Sequence, residues 1–178
     1  LMDSVNLNHE IFASADDFLE KIGEQRPGCL VLDIRMPGLG GLELQEELIK
    51  RGNTLPIIFI TGHGDVPMAV EAMQKGAVDF IQKPFRDQEL LDRIREALAT
   101  DEERREEQQH HAEVAGRLER LTNREREVFD LVVTGKPNKV IAYELGVSQR
   151  TVEIHRARVM EKMQARSLAD LVKMHMTA

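Results

Sequence analysis

The sequence predicts a doubly wound α/β domain with a parallel sheet, followed by an all-α domain of four helices. The α/β prediction rests on three short apolar runs, residues 29–33, 56–61 and 78–84, which helix-like segments separate. Each run is rich in β-branched or aromatic residues, and such unbroken apolar character is typical of parallel strands that are covered on both faces. The all-α prediction rests on the rest of the chain, where four capped segments of helical pattern follow one another.

Four helical segments accompany the predicted strands. The first follows the cap residue Ser14, and the second follows a glycine-rich loop and ends near Gly52. The third opens at Asp65 and stops at Gly76. The fourth covers residues 87–98, where one apolar stripe consists of Leu90, Leu91, Ile94 and Leu98.

Caps and stops divide the chain after residue 118 into four predicted helices. Thr122 and Glu125 form a capping box at the start of the first. The turn at residues 146–148 joins the second helix to the third, and this pair is a helix-turn-helix candidate. The remaining signals are a stop at Gly135, caps at Asn138, Ser148 and Ser167, and an end near Gln164.

Charge is distributed unevenly along the 178 residues. The net charge is −7, yet residues 118–178 carry 11 Lys and Arg against 8 Asp and Glu, a net of +3, which leaves −10 on residues 1–117. A basic C-terminal domain suits a regulator whose output domain contacts phosphate groups. The only cysteine, Cys29, lies in an apolar run, as expected for a buried thiol in a reducing compartment. No apolar run approaches the roughly 20 residues of a membrane span, so we expect a cytoplasmic protein without a membrane partner.

The segment between the two predicted domains has a different composition. Residues 99–117 contain a charged run with almost no apolar side chain, which predicts an exposed helical or frayed linker with pairs such as Asp101–Arg105. His110 and His111 have no spaced carboxylate or cysteine partners there, so an exposed pair is a better interpretation than a metal site. The predicted domains are therefore residues 1–98 and 118–178.

Three polar residues end the predicted strands, and they form the candidate site. Asp33, Thr61 and Lys83 each stand at the end of an apolar run. Because ligands of such sheets bind at the carboxyl ends of the strands, a carboxylate, a hydroxyl and an ammonium group should converge at one edge. This set suits a phosphoryl group, with Asp33 as nucleophile, Thr61 as hydrogen-bond donor and Lys83 as counter-charge.

Two groups of motifs resemble known families. LDIRMPG at residues 32–38, ITGHGD at 60–65 and KPF at 83–85 resemble the receiver domains of two-component response regulators, which have a flavodoxin-like fold. LTNREREV at 121–128, NKVIA at 138–142 and SQRTVEIHR at 148–156 resemble the LuxR-type helix-turn-helix. The pairing resembles the FixJ branch of the NarL/LuxR response regulators.

The resemblance implies roles for individual residues. Asp33 would accept the phosphoryl group, Thr61 would bind its oxygens, Lys83 would neutralise them, and Phe80 would occupy the aromatic switch position. Asp33 and the main-chain carbonyl of Arg35 would help to hold Mg²⁺. The resemblance also implies that the Lys83–Pro84 bond is cis, against the low base rate for such bonds.

One part of the receiver pattern is missing from this chain. Receivers carry an acidic pair after their first strand that supplies most of the Mg²⁺ ligation, and no equivalent pair is present here; Asp16 and Asp17 follow the wrong strand. Residues 5–7 resemble the turn after the first helix, and residues 10–12 resemble strand two. We therefore expect the domain to lack its first strand and helix, with roughly 25 further N-terminal residues in the natural protein and weak or absent Mg²⁺ binding in this chain.

The third helix of the C-terminal domain is the candidate reader of DNA. At about 100° per residue, Val152, Val159 and Met163 share a core face. Arg150, Glu153, Ile154, Ala157 and Glu161 lie opposite, in a mixed set that suits the major groove or a merely solvated face. Lys139, Arg156 and Lys162 suit phosphate contacts. The predicted DNA-binding residues are Lys139, Gln149, Arg150, Thr151, Glu153, Ile154, Arg156, Ala157 and Lys162.

These observations predict a phosphorylation-dependent transcriptional regulator rather than an enzyme. The resemblance implies a histidine kinase, duplex DNA and RNA polymerase as partners, and a homodimer that forms on phosphorylation. A phosphatase or transferase would need a second Asp at position 35, where this chain has Arg35. A scaffold whose receiver takes no phosphate stays an alternative. In the last helix, Leu168, Leu171, Val172 and His175 suit a core or a dimer seam equally.

Overall fold

The computed structural model describes residues 2, 5–22, 26–62 and 66–177. The chain divides into two compact units, residues 1–105 and 106–178. The predicted helix start at Asp65 and the last three residues of the ITGHGD motif, 63–65, lie outside the described residues.

The first unit is built on a parallel sheet of three strands. These strands are β1 (Leu30–Asp33), β2 (Ile57–Thr61) and β3 (Asp79–Gln82), in the order β1-β2-β3. Phe59 of β2 stands in register with Leu32 of β1 and Phe80 of β3. All three strands fall within the predicted apolar runs. Burial is nearly continuous along the central strand β2 but alternates along β3, because β3 is an edge strand of the described sheet.

Helices cover both faces of this sheet, which confirms the doubly wound prediction. On one face, Leu32 and Phe59 pack with Phe18, Leu44 and Ala69 from the first three helices. On the other face, Ile58 and Ile81 pack with Leu90 and Ile94 from the fourth. These helices are α1 (Ala15–Lys21), α2 (Gly41–Lys50), α3 (Val66–Gln74) and α4 (Asp87–Glu119).

Residues 10–12 do not form the strand that the sequence suggests. They pair with no strand of the described sheet, and the Ile11 side chain is 86% exposed. The described sheet consists of β1, β2 and β3 alone, so this segment has no partner strand in it. Residues 5–7 do form the predicted turn, since the amides of Val5 and Leu7 both donate to the carbonyl of Met2.

Helix α4 is longer than predicted and runs through residues 99–117 without a break. Most of that segment is exposed and helical, as the charged run suggests. Asp101 and Val114 are nevertheless buried, the former in the first unit and the latter in the core of the second. Asp101 forms its ion pair with Arg104 at i,i+3. The assignment of the whole segment as a linker stays a prediction.

The second unit holds four helices after α4 around one apolar core. Val128, Phe129, Ile141 and Leu171 are fully buried there. Thr122 and Glu125 make the predicted capping box, whereas the cap before the next helix is Pro137 and Asn138 is its first residue. The helices are α5 (Asn123–Val133), α6 (Asn138–Leu145), α7 (Gln149–Met163) and α8 (Leu168–Thr177).

In α8 the structure assigns Leu171 to the core, while Leu168 is 38% exposed. None of the helices described in the two units is long and apolar enough to cross a membrane.

Candidate functional site

Asp33 and Lys83 meet at the carboxyl edge of the sheet, as predicted. The ammonium nitrogen Nζ of Lys83 lies 2.6 Å from Oδ2 of Asp33. The other carboxylate oxygen, Oδ1, accepts a hydrogen bond of 3.0 Å from the main-chain amide of Arg35. Both side chains keep substantial exposure, 37% for Asp33 and 51% for Lys83, so a phosphodonor in solvent can reach the carboxylate.

Thr61 lies at the same edge but is almost fully buried. Its hydroxyl Oγ1 is 3.5 Å from the carbonyl oxygen of Ile81, which is a long hydrogen bond. The amide of Lys83 donates to the carbonyl of Thr61 at 2.8 Å, so the ends of β2 and β3 are tied directly beside the site. The Lys83–Pro84 bond is cis, as the resemblance implied.

Gly41 lies directly against the main chain of Asp33, a close approach that the sequence analysis missed. A Cβ atom at this position would lie 2.5 Å from the carbonyl oxygen of Asp33, 3.0 Å from Cα of Ile34 and 3.1 Å from the ring of Phe59. The Gly41 amide donates to the carbonyl of Ile34 at 3.1 Å, which seats the start of α2 against the end of β1. Adjacent glycines directly before a helix were the available signal for so close an approach.

Phe80 points to the exposed side of β3. Its side chain is 36% exposed, and the neighbouring Ile81 is buried, as alternation along an edge strand requires. Its amide donates to Oδ1 of Asp79 at 2.8 Å, and Oδ2 of Asp79 pairs with Arg93 of α4 at 2.9 Å. Phe80 is therefore exposed at the surface of β3.

The described residues do not form a Mg²⁺ site by themselves. They contain no group of three His, Cys, Asp or Glu side chains placed to hold a metal ion. Asp33 offers a single carboxylate, and donors from Lys83 and Arg35 already engage both of its oxygens.

Helix α7 presents the predicted set of outward side chains. Ser148 caps the helix, since its Oγ accepts from the amide of Thr151 at 3.0 Å. Val152, Val159 and Met163 are fully buried, as predicted. The opposite side is exposed and consists of Gln149, Arg150, Glu153, Ile154, Ala157 and Glu161, with Thr151 partly buried beside the cap.

The three predicted phosphate contacts stand in different surroundings. Lys139 is exposed at the start of α6. Arg156 is partly buried and donates from Nη1 to Oδ1 of Asn138 at 3.1 Å, which joins α7 to α6. Lys162 lies 2.6 Å from the carboxylate of Glu125. Lys139 is therefore the one of these three that the structure leaves most open to a phosphate.

Glu125 is a buried carboxylate that sequence reasoning saw only as a helix cap. Its side chain is 3% exposed, accepts from the amide of Thr122 at 2.9 Å and pairs with Lys162. The hydrogen bond from Lys162, followed by that from Thr122, lowers the pKa of Glu125. The i+37 separation between the partners left no local signal for this contact.

Two residues noted in the sequence lie elsewhere on the surface. His110 and His111 are exposed on α4. Tyr143, which the sequence analysis did not consider, is 89% exposed on α6.

Comparison with known families agrees with both units. Residues 1–95 match the model of the response regulator receiver domain, and residues 119–175 match that of bacterial regulatory proteins of the luxR family.

Similar proteins cover almost all of the chain. Nodulation protein W of Bradyrhizobium diazoefficiens is 51% identical over 177 residues, which are 99% of this chain and 78% of that protein. The transcriptional regulatory protein FixJ of Azorhizobium caulinodans is 46% identical over all 178 residues and 84% of its own length. The solved structure of the response regulator StyR has a TM-score of 0.91 at 44% identity, over 99% of this chain and 89% of that one. The solved structure of full-length FixJ from B. japonicum has a TM-score of 0.59 at 43% identity, over 98% of this chain and 86% of that chain.

A receiver domain followed by a luxR-type domain defines the class, and the chain belongs to the FixJ branch of the two-component response regulators. It is thus a phosphorylation-dependent transcriptional regulator with a DNA-binding helix-turn-helix. This family consists of DNA-binding regulators that are generally not enzymes.

Proposed function

We propose that Asp33 accepts the phosphoryl group from a histidine kinase. The supporting observation is the 2.6 Å contact between Asp33 and Lys83, with Thr61 at the same edge. A carboxylate oxygen of Asp33 attacks phosphorus, the bond from phosphorus to the donor nitrogen breaks, and the imidazole leaves as a neutral group after it takes up a proton. The Lys83 ammonium group neutralises the phosphoryl oxygens.

Thr61 is the residue through which the phosphate is sensed in this proposal. Its hydroxyl makes only a long hydrogen bond of 3.5 Å to the carbonyl of Ile81, so a charged phosphoryl oxygen is a stronger acceptor. Rotation toward the phosphate opens space beside β3, and Phe80 moves with it. Phosphorylation thereby shifts the population of two surface states.

The surface that responds is the one formed by residues 67–75, 79–81 and 87–98, and we propose that it forms a homodimer. Val70, Met73 and Phe80 supply exposed apolar area there, and Arg93 and Asp79 supply charge. Pairing of two copies brings two DNA-binding domains onto one duplex, which raises affinity through effective concentration.

Helix α7 is the proposed reader of the major groove, and Lys139 is a contact to the phosphate backbone. Duplex DNA and RNA polymerase are the partners of this DNA-binding domain in the proposal, and the proposed location is therefore the cytoplasm. Asp33 and the Arg35 carbonyl would hold Mg²⁺ together with further acidic ligands. A scaffold whose receiver takes no phosphate is the second candidate.

Base contacts and phosphate contacts predict different behaviour of two variants. Glu153→Ala should relax the preference at one base pair, by roughly 1–3 kcal/mol, because a carboxylate can accept from cytosine N4. Lys139→Ala should weaken binding to all sequences and lower the salt slope by about 0.9, because one phosphate contact is lost. Selection from a randomised duplex pool, followed by titrations between about 50 and 200 mM salt, measures both.

Glu161→Ala is the matched control for Glu153→Ala, because both glutamates are exposed on α7 and Glu161 lies two turns further from the helix start. An unchanged selected sequence for Glu153→Ala would contradict its role as a base reader. Failure of the unaltered chain to select any sequence would contradict DNA recognition as a whole.

Dimerisation is expected to be the step that phosphorylation controls. Phosphorylated full-length protein should sediment with a larger dimer fraction than unphosphorylated protein, because the surface around Phe80 changes. Asp33→Asn with the same phosphodonor is the control and should stay at the unphosphorylated fraction. Identical fractions in all samples would count against the mechanism.

A further inference from the structure

Polar contacts hold the C-terminal end of α7 against the corner between α4 and α5. Lys162 is central: its Nζ lies 2.6 Å from Oε2 of Glu125 and donates to the main-chain carbonyl of Arg120 at 3.1 Å. Arg117 of α4 adds a third contact of 3.4 Å from Nη1 to the carbonyl of Met163, the last residue of α7. We call these contacts of Lys162, Glu125, Arg120, Arg117 and Met163 the α7 anchor.

The anchor contains a buried charge that depends on Lys162. The Glu125 side chain is 3% exposed, and besides Lys162 it contacts Thr122, whose main-chain amide donates to its Oε2 at 2.9 Å. An ionised carboxylate that is buried away from water is stable only if a nearby opposite charge and hydrogen bonds replace its hydration. The Lys162 ammonium group is therefore engaged inside the protein, although its side chain is 34% exposed.

A bound phosphate would have to compete with both of these acceptors. One acceptor is the negatively charged Glu125 carboxylate at 2.6 Å, and the other is the main-chain carbonyl of Arg120. If Lys162 turned to a phosphate, this carbonyl at the α4–α5 corner would lose the hydrogen bond from Lys162. Lys139 carries no comparable internal contact and is exposed. The two lysines are thus not equivalent, even though the sequence pattern treats both as phosphate contacts.

A small tilt at the anchored end is large at the reading end. Glu153 and Lys162 are nine residues apart on α7, which corresponds to about 13 Å at 1.5 Å per residue. A rotation of about 10° about the anchor would displace Glu153 by about 2 Å, which is enough to break a base contact that needs heavy atoms within about 3 Å. Fixing the C-terminal end therefore fixes where the outward side chains meet the bases.

We propose that Lys162 is a positioning residue for DNA recognition: its pair with Glu125 sets the angle of α7 and leaves contact with the DNA phosphates to other residues. This inference rests on the proposed function of α7 as the major-groove reader. Lys162 could affect DNA binding in three ways: as a phosphate contact, as a positioning residue or only through the stability of the fold. A loss of affinity alone does not distinguish these three roles.

The first test measures affinity, salt dependence and thermal stability of the full chain with Lys162→Ala. The probe is the duplex selected from a randomised pool by the unaltered chain. We expect about tenfold weaker binding at a temperature where the variant is fully folded by circular dichroism, with an unchanged salt slope. Lys139→Ala is the matched control and should lower the slope by about 0.9. Lys162→Met keeps the apolar stem and takes the place of Lys162→Ala if the latter does not fold.

Glu125→Gln supplies the second test, because the two models predict opposite signs. Removing the charge frees Lys162, so a phosphate-contacting Lys162 would bind DNA more tightly in this variant. A positioning pair would instead be broken, and binding would weaken by about the same factor as in Lys162→Ala. The double variant Glu125→Gln/Lys162→Ala should then be no weaker than either single variant.

Each outcome has one meaning. A slope that falls by about 0.9 in Lys162→Ala, or tighter binding by Glu125→Gln, would show a phosphate contact and overturn the inference. A lower melting temperature with unchanged affinity would show stabilisation alone and also overturn it. Absence of any sequence-selective binding by the unaltered chain would instead refute the proposed function of α7.

Discussion

Asp33→Asn is expected to abolish uptake of a phosphoryl group by the full-length protein. The amide removes the anionic oxygen that attacks phosphorus, while its shape and its place beside Lys83 and the Arg35 amide are nearly preserved. Incubation with Mg²⁺ and a small phosphodonor, followed by intact-mass measurement, gives the result directly. The present chain should be loaded poorly even without the substitution, because the described residues do not complete a Mg²⁺ site.

Asp16→Asn is the matched control for this experiment. Asp16 is exposed on α1 and belongs to the only acidic pair among the first residues of the chain. The variant should leave uptake unchanged, because the contacts that hold the Asp33 carboxylate come from Lys83 and the Arg35 amide and do not involve Asp16. Equal uptake by Asp33→Asn and the unaltered protein would refute the assignment of the acceptor, and loss of uptake in Asp16→Asn would move the acceptor to α1.

Gly41→Ala is expected to destabilise the first unit by about 1–3 kcal/mol, an effect typical of overpacking. The new Cβ would stand 2.5 Å from the Asp33 carbonyl oxygen, which is main chain and cannot rotate away. Either α2 or the end of β1 must shift, so the carboxylate also moves relative to Lys83. Denaturant unfolding measures the loss of stability, and the initial rate of phosphoryl uptake measures the displacement of Asp33.

Gly40→Ala is the matched control at the neighbouring position. A Cβ there would meet only Oε2 of Glu43 at 3.5 Å and the Ile34 carbonyl at 3.9 Å, which are ordinary contacts. The free energy of unfolding of this variant should lie within about 0.5 kcal/mol of that of the unaltered protein. Equal stability of the two alanine variants would show that the approach of α2 to Asp33 is looser than the structure gives.

Local pattern was enough to predict most of the secondary structure and the meeting of Asp33 and Lys83 at one edge of the sheet. The strands ending in Asp33 and Thr61 are short apolar runs, and parallel pairing forces their carboxyl ends to one edge. Helix boundaries at Ser14, Thr122 and Ser148 were visible because caps act within three residues. The exposed face of α7 followed from helical periodicity alone.

Contacts between distant residues were beyond the sequence. The partner of Lys162 is 37 residues away, and the atoms that exclude a side chain at Gly41 belong to a strand and to Phe59. A charged pattern made Asp101 look exposed, although the fold buries it. Residues 10–12 have the composition of a strand but no partner in the described sheet, and pairing cannot be inferred from composition.

The contacts of Asp101 determine where an isolated receiver fragment should end. Asp101 accepts from the amide of Gly28 at 3.1 Å and pairs with Arg104, which in turn donates to the carbonyl of Thr54. These contacts hold the loops that lead into β1 and β2, at the edge of the sheet opposite to the one where Asp33 lies. A fragment cut at Leu98, where the apolar stripe of α4 ends, would discard this closure and expose Cys29, which follows Gly28. Expression of the receiver alone therefore calls for a C-terminus beyond Arg104.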